Sequence, residues 1–156
     1  MYTFRDYYNN EVKLSFADHP FSKCPKHVLI ICRYKGQWLL TDHQERGFEF
    51  PGGKVEKGES PKEGAIREVK EETGAIIEEI DYVGQYFVNG KNGSVFKNIY
   101  FSNVTELRTQ ETYYETNGPI LLDRIPNDIK TNDSYSFIMK DEILDYTLDY
   151  ILKTKD

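Results

Sequence analysis

One helix in this sequence has both of its ends written out, and it constrains the rest of the chain more than any other feature. Ser60 can accept from the first turn, Pro61 suits a position whose N–H is not needed, and Glu63 completes a Ser-x-x-Glu capping box. Gly74 stands where a left-handed residue closes a helix, so the signals predict a helix over 61–73. At about 100° per residue, Ala65, Ile66, Val69 and Thr73 share the sector that should face a core, while Glu68, Glu71 and Glu72 gather on the opposite side. Like charges at these spacings destabilise a helix by roughly a few tenths of a kcal/mol per pair. Gly64, on the same acidic sector, costs about 1 kcal/mol relative to alanine. A glutamate cluster on an isolated helix is usually a solvated face. A bound hard divalent cation and an anionic substrate would instead give the cluster its counter-charge and the glycine its purpose.

The segments around this helix read as strands. Val12 to Phe16 alternates weakly, and His27 to Tyr34 is a nearly continuous β-branched run of the kind buried on both faces of a sheet. Lys35-Gly36 turns it into a return strand, Gln37 to Thr41, followed by a polar loop from Asp42 to Gly47 and a short strand Phe48-Glu49-Phe50 stopped by Pro51-Gly52-Gly53. After the helix, Ile76 to Val88 and Val95 to Val104 form a predicted hairpin about Asn89-Gly90-Lys91-Asn92-Gly93. Glu106 to Gly118 reads as a polar loop and Pro119 to Leu122 as a short strand. Phe137 to about Lys153 reads as an amphipathic helix with Ile138, Leu144, Leu148, Ile151 and Leu152 as its apolar set. No repeat or linker interrupts residues 1–156, which are expected to form one domain.

A formal charge of −6 argues against a general nucleic-acid coating surface, which needs a basic stripe. A polyanionic substrate would therefore rely on metal ions. Cys24 and Cys32 make neither a disulfide framework nor a zinc motif, no run reaches the length of a membrane span, and the N-terminus lacks an apolar leader. A cytoplasmic protein without a membrane partner is expected.

The surroundings of the acidic face decide between its two readings. Gly53, five residues, Glu59, seven residues, then Arg67-Glu68-Val69-Lys70-Glu71-Glu72-Thr73-Gly74-Ala75 resembles the Nudix box, over residues 53–75, with alanine in place of the last aliphatic residue. Seven specified residues at ordinary usage would coincide in a chain of this length on the order of once in a million. Phe48-Glu49-Phe50-Pro51-Gly52 resembles the lead-in strand of the MutT-like branch. Pro25-Lys26-His27-Val28, Gly84-Gln85-Tyr86, Lys97 to Phe101 and Ser136 to Asp141 extend the likeness to MutT-like enzymes over nearly the whole chain. The resemblance implies an α/β fold, an α/β/α sandwich around a central mixed β-sheet.

It also implies roles. Glu71 and Glu72 would ligate Mg²⁺ or Mn²⁺ with the Gly52 carbonyl, and Glu68 would bind a metal or deprotonate the attacking water. Arg67 would orient a catalytic carboxylate, with Glu59 supporting the cluster. Glu115, or next Glu111, would supply a further carboxylate from a late loop. His43, Arg46 and Lys54 stand where the family contacts the triphosphate. Outside the box, Ser134, Ser136 and Phe137 can read a base through hydroxyls and ring stacking, or simply cap and pack. The reaction implied is hydrolysis of a nucleoside triphosphate to monophosphate and pyrophosphate, with 8-oxo-dGTP among the substrates. Removal of pyrophosphate from RNA 5′ ends is a second reading, and a non-catalytic nucleotide-binding regulator a third.

Overall fold

The computed structural model describes residues 1–154. In chain order its elements are β1 (Tyr2–Arg5), β2 (Glu11–Ser15), β3 (His27–Tyr34), β4 (Gln37–His43), β5 (Gly47–Glu49), β6 (Gly52–Lys54), α1 (Pro61–Thr73), β7 (Ala75–Ile76), β8 (Asp81–Gly90), β9 (Gly93–Val104), β10 (Glu106–Leu107), β11 (Thr116–Leu122) and α2 (Glu142–Thr154). The main sheet runs β1-β2-β8-β9-β3-β4-β11, with β5 on β4 and β6 on β3, while β7 and β10 pair separately. β3 lies parallel to β9 and its other neighbours are antiparallel, so the sheet is mixed.

Val28 to Cys32 are all buried because β3 is covered on both faces, as its β-branched run predicts. On one face Val28 and Ile30 meet Ala65 and Val69 of α1. On the other, Leu29 and Ile31 meet Met139, Ile143, Leu144 and Ile151, from α2 and the turn before it. This is the expected α/β/α sandwich.

α1 has the predicted bounds. The Ser60 hydroxyl accepts from the Glu63 amide, the Glu63 carboxylate accepts from the Ser60 amide, and Gly74 closes the helix at φ 81°. Its last turn is tied down from β4 and β11, whose Thr41 and Thr116 hydroxyls both donate to the Glu72 carbonyl, at 2.9 and 3.1 Å. The buried stripe is rotated from the expected one: Gly64, Ala65, Val69, Glu72 and Thr73 are buried, whereas Ile66 is exposed. The helix leans its acidic flank toward the sheet and turns Ile66 to solvent.

Other boundaries shift. The stretch from Ile76 is broken before Asp81, β4 and β5 take up part of the 42–47 loop, and the 106–118 loop contains β10 and the start of β11. The C-terminal helix begins at Glu142, not at Phe137. Phe137–Met139 form a separate 3₁₀ turn capped by Ser136, whose hydroxyl accepts from the Ile138 amide at 3.2 Å. Asp141 then starts α2 afresh, accepting from the Ile143 amide at 2.9 Å. Two side chains within reach of orphan amides split one apolar run into two helical pieces. Ile138 therefore lies outside α2, and Leu152 on it is exposed.

Burial pushes the Asp141 carboxyl up from 3.8 to about 7, partly opposed by the Ile143 amide. A folded value above the unfolded one means that the fold favours the neutral acid. That contribution is fully present below about pH 4 and is lost as pH rises through about 7. Asp141→Asn keeps an acceptor for the cap but does not ionise. Its melting temperature relative to wild type is expected to rise by about 5 °C between pH 4 and pH 8, measured by thermal melts across that range. A difference independent of pH would show that Asp141 is neutralised in another way.

Candidate active site

The site lies where the sheet splits. β3 pairs with β4 only over Cys32–Tyr34; nearer its start its partner is β6, with Leu29 opposite Gly52 and His27 opposite Lys54. The far end of β4 pairs with β5. The divergence opens a cavity of about 460 Å³ whose walls include Glu68 and Glu72 of α1, Gly52 to Lys54 of β6, and Glu115.

Arg67 organises the acidic side. Its guanidinium donates to both Glu59 oxygens at 2.7 and 3.1 Å, to Glu68 and Glu71 at 3.1 Å each, and to the Lys54 carbonyl at 3.0 Å. Glu56 lies at 3.4 Å. One planar, permanently charged fork thus ties the loop after β6 to the acidic face of α1. The Arg67 hydrogen bonds hold the Glu59 carboxyl below its usual range.

Glu68 and Glu72 behave as a pair. Burial raises both carboxyls, and for Glu72 the Glu68 carboxylate raises it further. Arg67 pulls Glu68 back down, and the Gly52 amide does the same for Glu72. Two neighbouring carboxylates withdrawn from water disfavour ionising together, and a cation would relieve that repulsion. The buried Oε2 of Glu72 has no hydrogen-bond partner.

An unsatisfied buried carboxylate oxygen beside a second carboxylate is an all-oxygen donor set suited to a hard divalent cation, and the residues fit one. Gly53 supports this fit, because a Cβ there would stand 2.6 Å from the Glu68 carboxyl carbon. Glu71 is turned aside onto Arg67 and does not line the cavity. Among the described residues no three His, Cys, Asp or Glu side chains form a ready-made metal cluster. A cation held by Glu68 and Glu72 would complete its shell with backbone, water or substrate oxygens.

The remaining sequence-predicted residues divide. His43, Arg46, Lys54, Glu115 and Phe137 line the same cavity, whereas Ser134, Ser136 and Glu111 do not. His43 Nδ1 accepts from the Glu45 and Arg46 amides at 3.2 and 3.1 Å, and the Arg46 guanidinium forms a two-pronged pair with buried Glu49 at 2.8 Å in each arm. Both thus shape the β4–β5 turn at the cavity wall. Glu115 is exposed and adopts a left-handed φ of 63°, a conformation a non-glycine residue takes only at some cost. Ser136 and the Ser134 carbonyl bond the Phe48 backbone, at 3.0 and 2.9 Å, so that segment joins the end of the sheet to α2. Burial pushes the Cys32 thiol up, which makes it inert packing, and Cys24 is exposed.

Four charged or titratable cavity residues lie outside the sequence reading: Glu49, Glu56, His27 and Lys97. The last two are polar residues in phase with buried neighbours, His27 with Leu29 and Ile31, and Lys97 with Ile99 and Phe101. That phase is a usable signal, since a charged residue on the inward face of a strand needs a reason.

The NUDIX domain model matches residues 24–119. The chain is 54% identical over 148 residues to YtkD of Bacillus subtilis (strain 168), covering 95% of this chain and 94% of that protein, which carries a provisional description as an 8-oxo-dGTP diphosphatase. The crystal structure of the Bacillus subtilis pyrophosphohydrolase BsRppH, a glutamate-to-alanine mutant, superposes with a TM-score of 0.98 at 51% identity, covering 99% of this chain and 98% of that one. A NUDIX hydrolase from Nitrosomonas europaea shares the fold at 16% identity, with a TM-score of 0.67 over 85% of this chain and 91% of that one.

Proposed function

The chain belongs to the NUDIX family, and from that premise we propose that it is a divalent-cation-dependent pyrophosphohydrolase that cleaves nucleoside triphosphates to the monophosphate and pyrophosphate. The observation that carries this reading is buried Glu72, with its unsatisfied oxygen, beside half-buried Glu68 at the wall of an open cavity, the latter braced by Arg67. A binding module would gain nothing from keeping such a destabilising pair.

When bound, Mg²⁺ or Mn²⁺ supplies charge neutralisation on phosphoryl oxygens and activation of water. The chain's own residues do the positioning. Glu68 and Glu72 provide oxygen ligands, with the Gly52 carbonyl beside them and Glu71 and Glu115 within the same neighbourhood as further carboxylates. Glu68 is also placed to accept the proton of the attacking water. Arg67 fixes its rotamer and, with Glu59, keeps the cluster from spreading. Lys54, Arg46 and His43 face the phosphates, and Phe137 offers a ring to the nucleoside. We assign Ser134 and Ser136 to the structural joint and not to base contact.

Similarity to YtkD makes 8-oxo-dGTP a candidate substrate in a cytoplasmic nucleotide pool. A triphosphorylated RNA 5′ end is the second candidate, and one observation favours it. A second cavity of about 420 Å³ shares Lys97, Phe137 and Ile138 with the first, which leaves room beyond a single nucleotide.

The test is a panel of nucleotides, 8-oxo-dGTP and 5′-triphosphorylated RNA with Mg²⁺ or Mn²⁺ in ¹⁸O water. By resemblance to MutT-like enzymes water attacks the β-phosphorus, so the label is expected in pyrophosphate and none in the monophosphate. Release of orthophosphate and a diphosphate would overturn the reaction assignment, and the ratio of kcat/KM between free nucleotide and RNA decides the substrate.

A further inference from the structure

His27 stands opposite Lys54 across the β3–β6 pair and opposite Lys97 across the parallel β3–β9 pair. Residues directly opposite share a face of the sheet. Lys54, His27 and Lys97 therefore form one row across three neighbouring strands, about 10 Å from end to end at the usual strand spacing. All three line the cavity that holds Glu68 and Glu72.

No ion pair among the described residues neutralises the row, although the Glu49 and Asp141 carboxylates favour the charged form of Lys97 from a distance. The nearest candidate, Glu49, has both oxygens taken by Arg46. Lys97 makes only a cation–π contact, 5.6 Å from the centre of the buried Tyr86 ring, and His27 Nδ1 is buried with no partner. Burial holds both the Lys97 ammonium and the His27 imidazole below their usual values, and Lys97 and Lys54 lower His27 further. With His27 and Lys97 half-buried and Lys54 exposed, up to three positive charges stand along one wall of the cavity, a distribution that favours a ligand bringing negative charge.

The two ends of the row differ. At the Lys54 end the chain is joined to the acidic cluster, by the hydrogen bond from Arg67 to the Lys54 carbonyl and by the packing of Gly53 against Glu68. At the Lys97 end lie Phe137 and Ile138, the wall shared with the second cavity. A linear polyanion with an aromatic group at one end has one matching orientation: the distal phosphates toward Lys54 and Glu68, the nucleoside near Phe137.

We propose that the Lys54–His27–Lys97 row seats the polyphosphate chain of the substrate, and that Lys97 holds the phosphate adjoining the nucleoside. This rests on the pyrophosphohydrolase reading and adds an orientation and two binding residues, His27 and Lys97, to it. Contacts made equally in the ground and transition states affect KM more than kcat. Lys97 is thus a binding residue whose loss weakens substrate capture.

The test uses the full chain with Mg²⁺ and a nucleoside 5′-(α,β-methylene)triphosphate, which cannot be cleaved at the α–β bridge, titrated by calorimetry. Lys97→Met is expected to weaken its binding at least about tenfold and to raise KM for the cleavable triphosphate by a similar factor, with kcat changed less than about threefold. Lys97→Arg should restore most of the affinity, since it returns the charge. The melting temperature of Lys97→Met without nucleotide should equal or exceed that of wild type, because a half-buried ammonium that makes no ion pair has been removed. His27→Gln, which keeps the polar volume, should show a smaller loss in the same direction. Unchanged affinity in Lys97→Met overturns the proposal, as does a lowered melting temperature with kcat and KM unchanged. If wild type binds the analogue through Lys97 yet releases no pyrophosphate from any triphosphate, the reaction assignment fails while the phosphate row stands.

Discussion

Replacing Glu72 with glutamine is expected to lower kcat/KM by roughly a thousandfold, equivalent to about 4 kcal/mol of transition-state stabilisation, while the melting temperature stays level or rises. The two halves of this expectation come from the same geometry. Glu72 is 6% exposed and its Oε2 has no partner, so a charge there works against folding, and glutamine presents a neutral group of nearly the same shape. The backbone around it is secured independently of the carboxyl, through the Thr41 and Thr116 hydroxyls on its carbonyl. What glutamine cannot supply is the second anionic oxygen donor beside Glu68. Paired melts and steady-state kinetics on one preparation check both halves. A lower melting temperature with normal turnover per folded molecule would make Glu72 a structural residue.

How far the sequence foretells this arrangement depends on the range of the interactions involved. α1 was legible to the residue because its determinants are local: Ser60, Glu63 and Gly74 act on amides and carbonyls within one turn. The hairpin turns about Lys35-Gly36 and Asn89 to Gly93 were legible for the same reason. The membership of the acidic cluster was legible from spacing, but its division was not. Glu71 lies one residue from Glu72, yet Arg67 draws it aside while Glu72 turns under the sheet edge. Only the docking angle of the helix decides that, and the angle is set by residues far along the chain.

The same limit explains Ile66, in phase with the core on a wheel but facing solvent. The C-terminal helix departs from its apolar pattern for a local reason, since Ser136 and Asp141 each offer a competing cap inside an otherwise helical run. His27 and Lys97 stayed hidden because register between strands 70 residues apart in sequence creates their row. Phase within each strand marks the two residues singly as inward-facing, but only the register sets them side by side.

Gly53→Ala is expected to cost at least about a hundredfold in kcat/KM, close to 3 kcal/mol, through displacement of a carboxylate that the substitution does not itself remove. The added Cβ would meet the Glu68 carboxyl group, with atoms at 2.6 and 2.9 Å. Real Cβ contacts do not come so close, so something must move. The near atoms belong to the far end of a flexible side chain and not to backbone, and swinging Glu68 away is the least costly response. At the neighbouring Gly52 a Cβ would instead meet the Val28 carbonyl at 2.5 Å, inside the β3–β6 ladder, where no side chain can yield.

The two substitutions should therefore separate. Gly52→Ala is expected to lower stability first and activity with it. Gly53→Ala should retain a melting temperature within about 2 °C of wild type, as for a change of well under 1 kcal/mol in a chain of this size, and lose rate as a Glu68 substitution does. Combining Gly53→Ala with Glu68→Gln sharpens the test, because two changes acting through one carboxylate are not additive. The double variant should be scarcely slower than the slower single variant. If the two losses multiply, alanine at position 53 obstructs the substrate directly, and the glycine serves the cavity instead of the carboxylate.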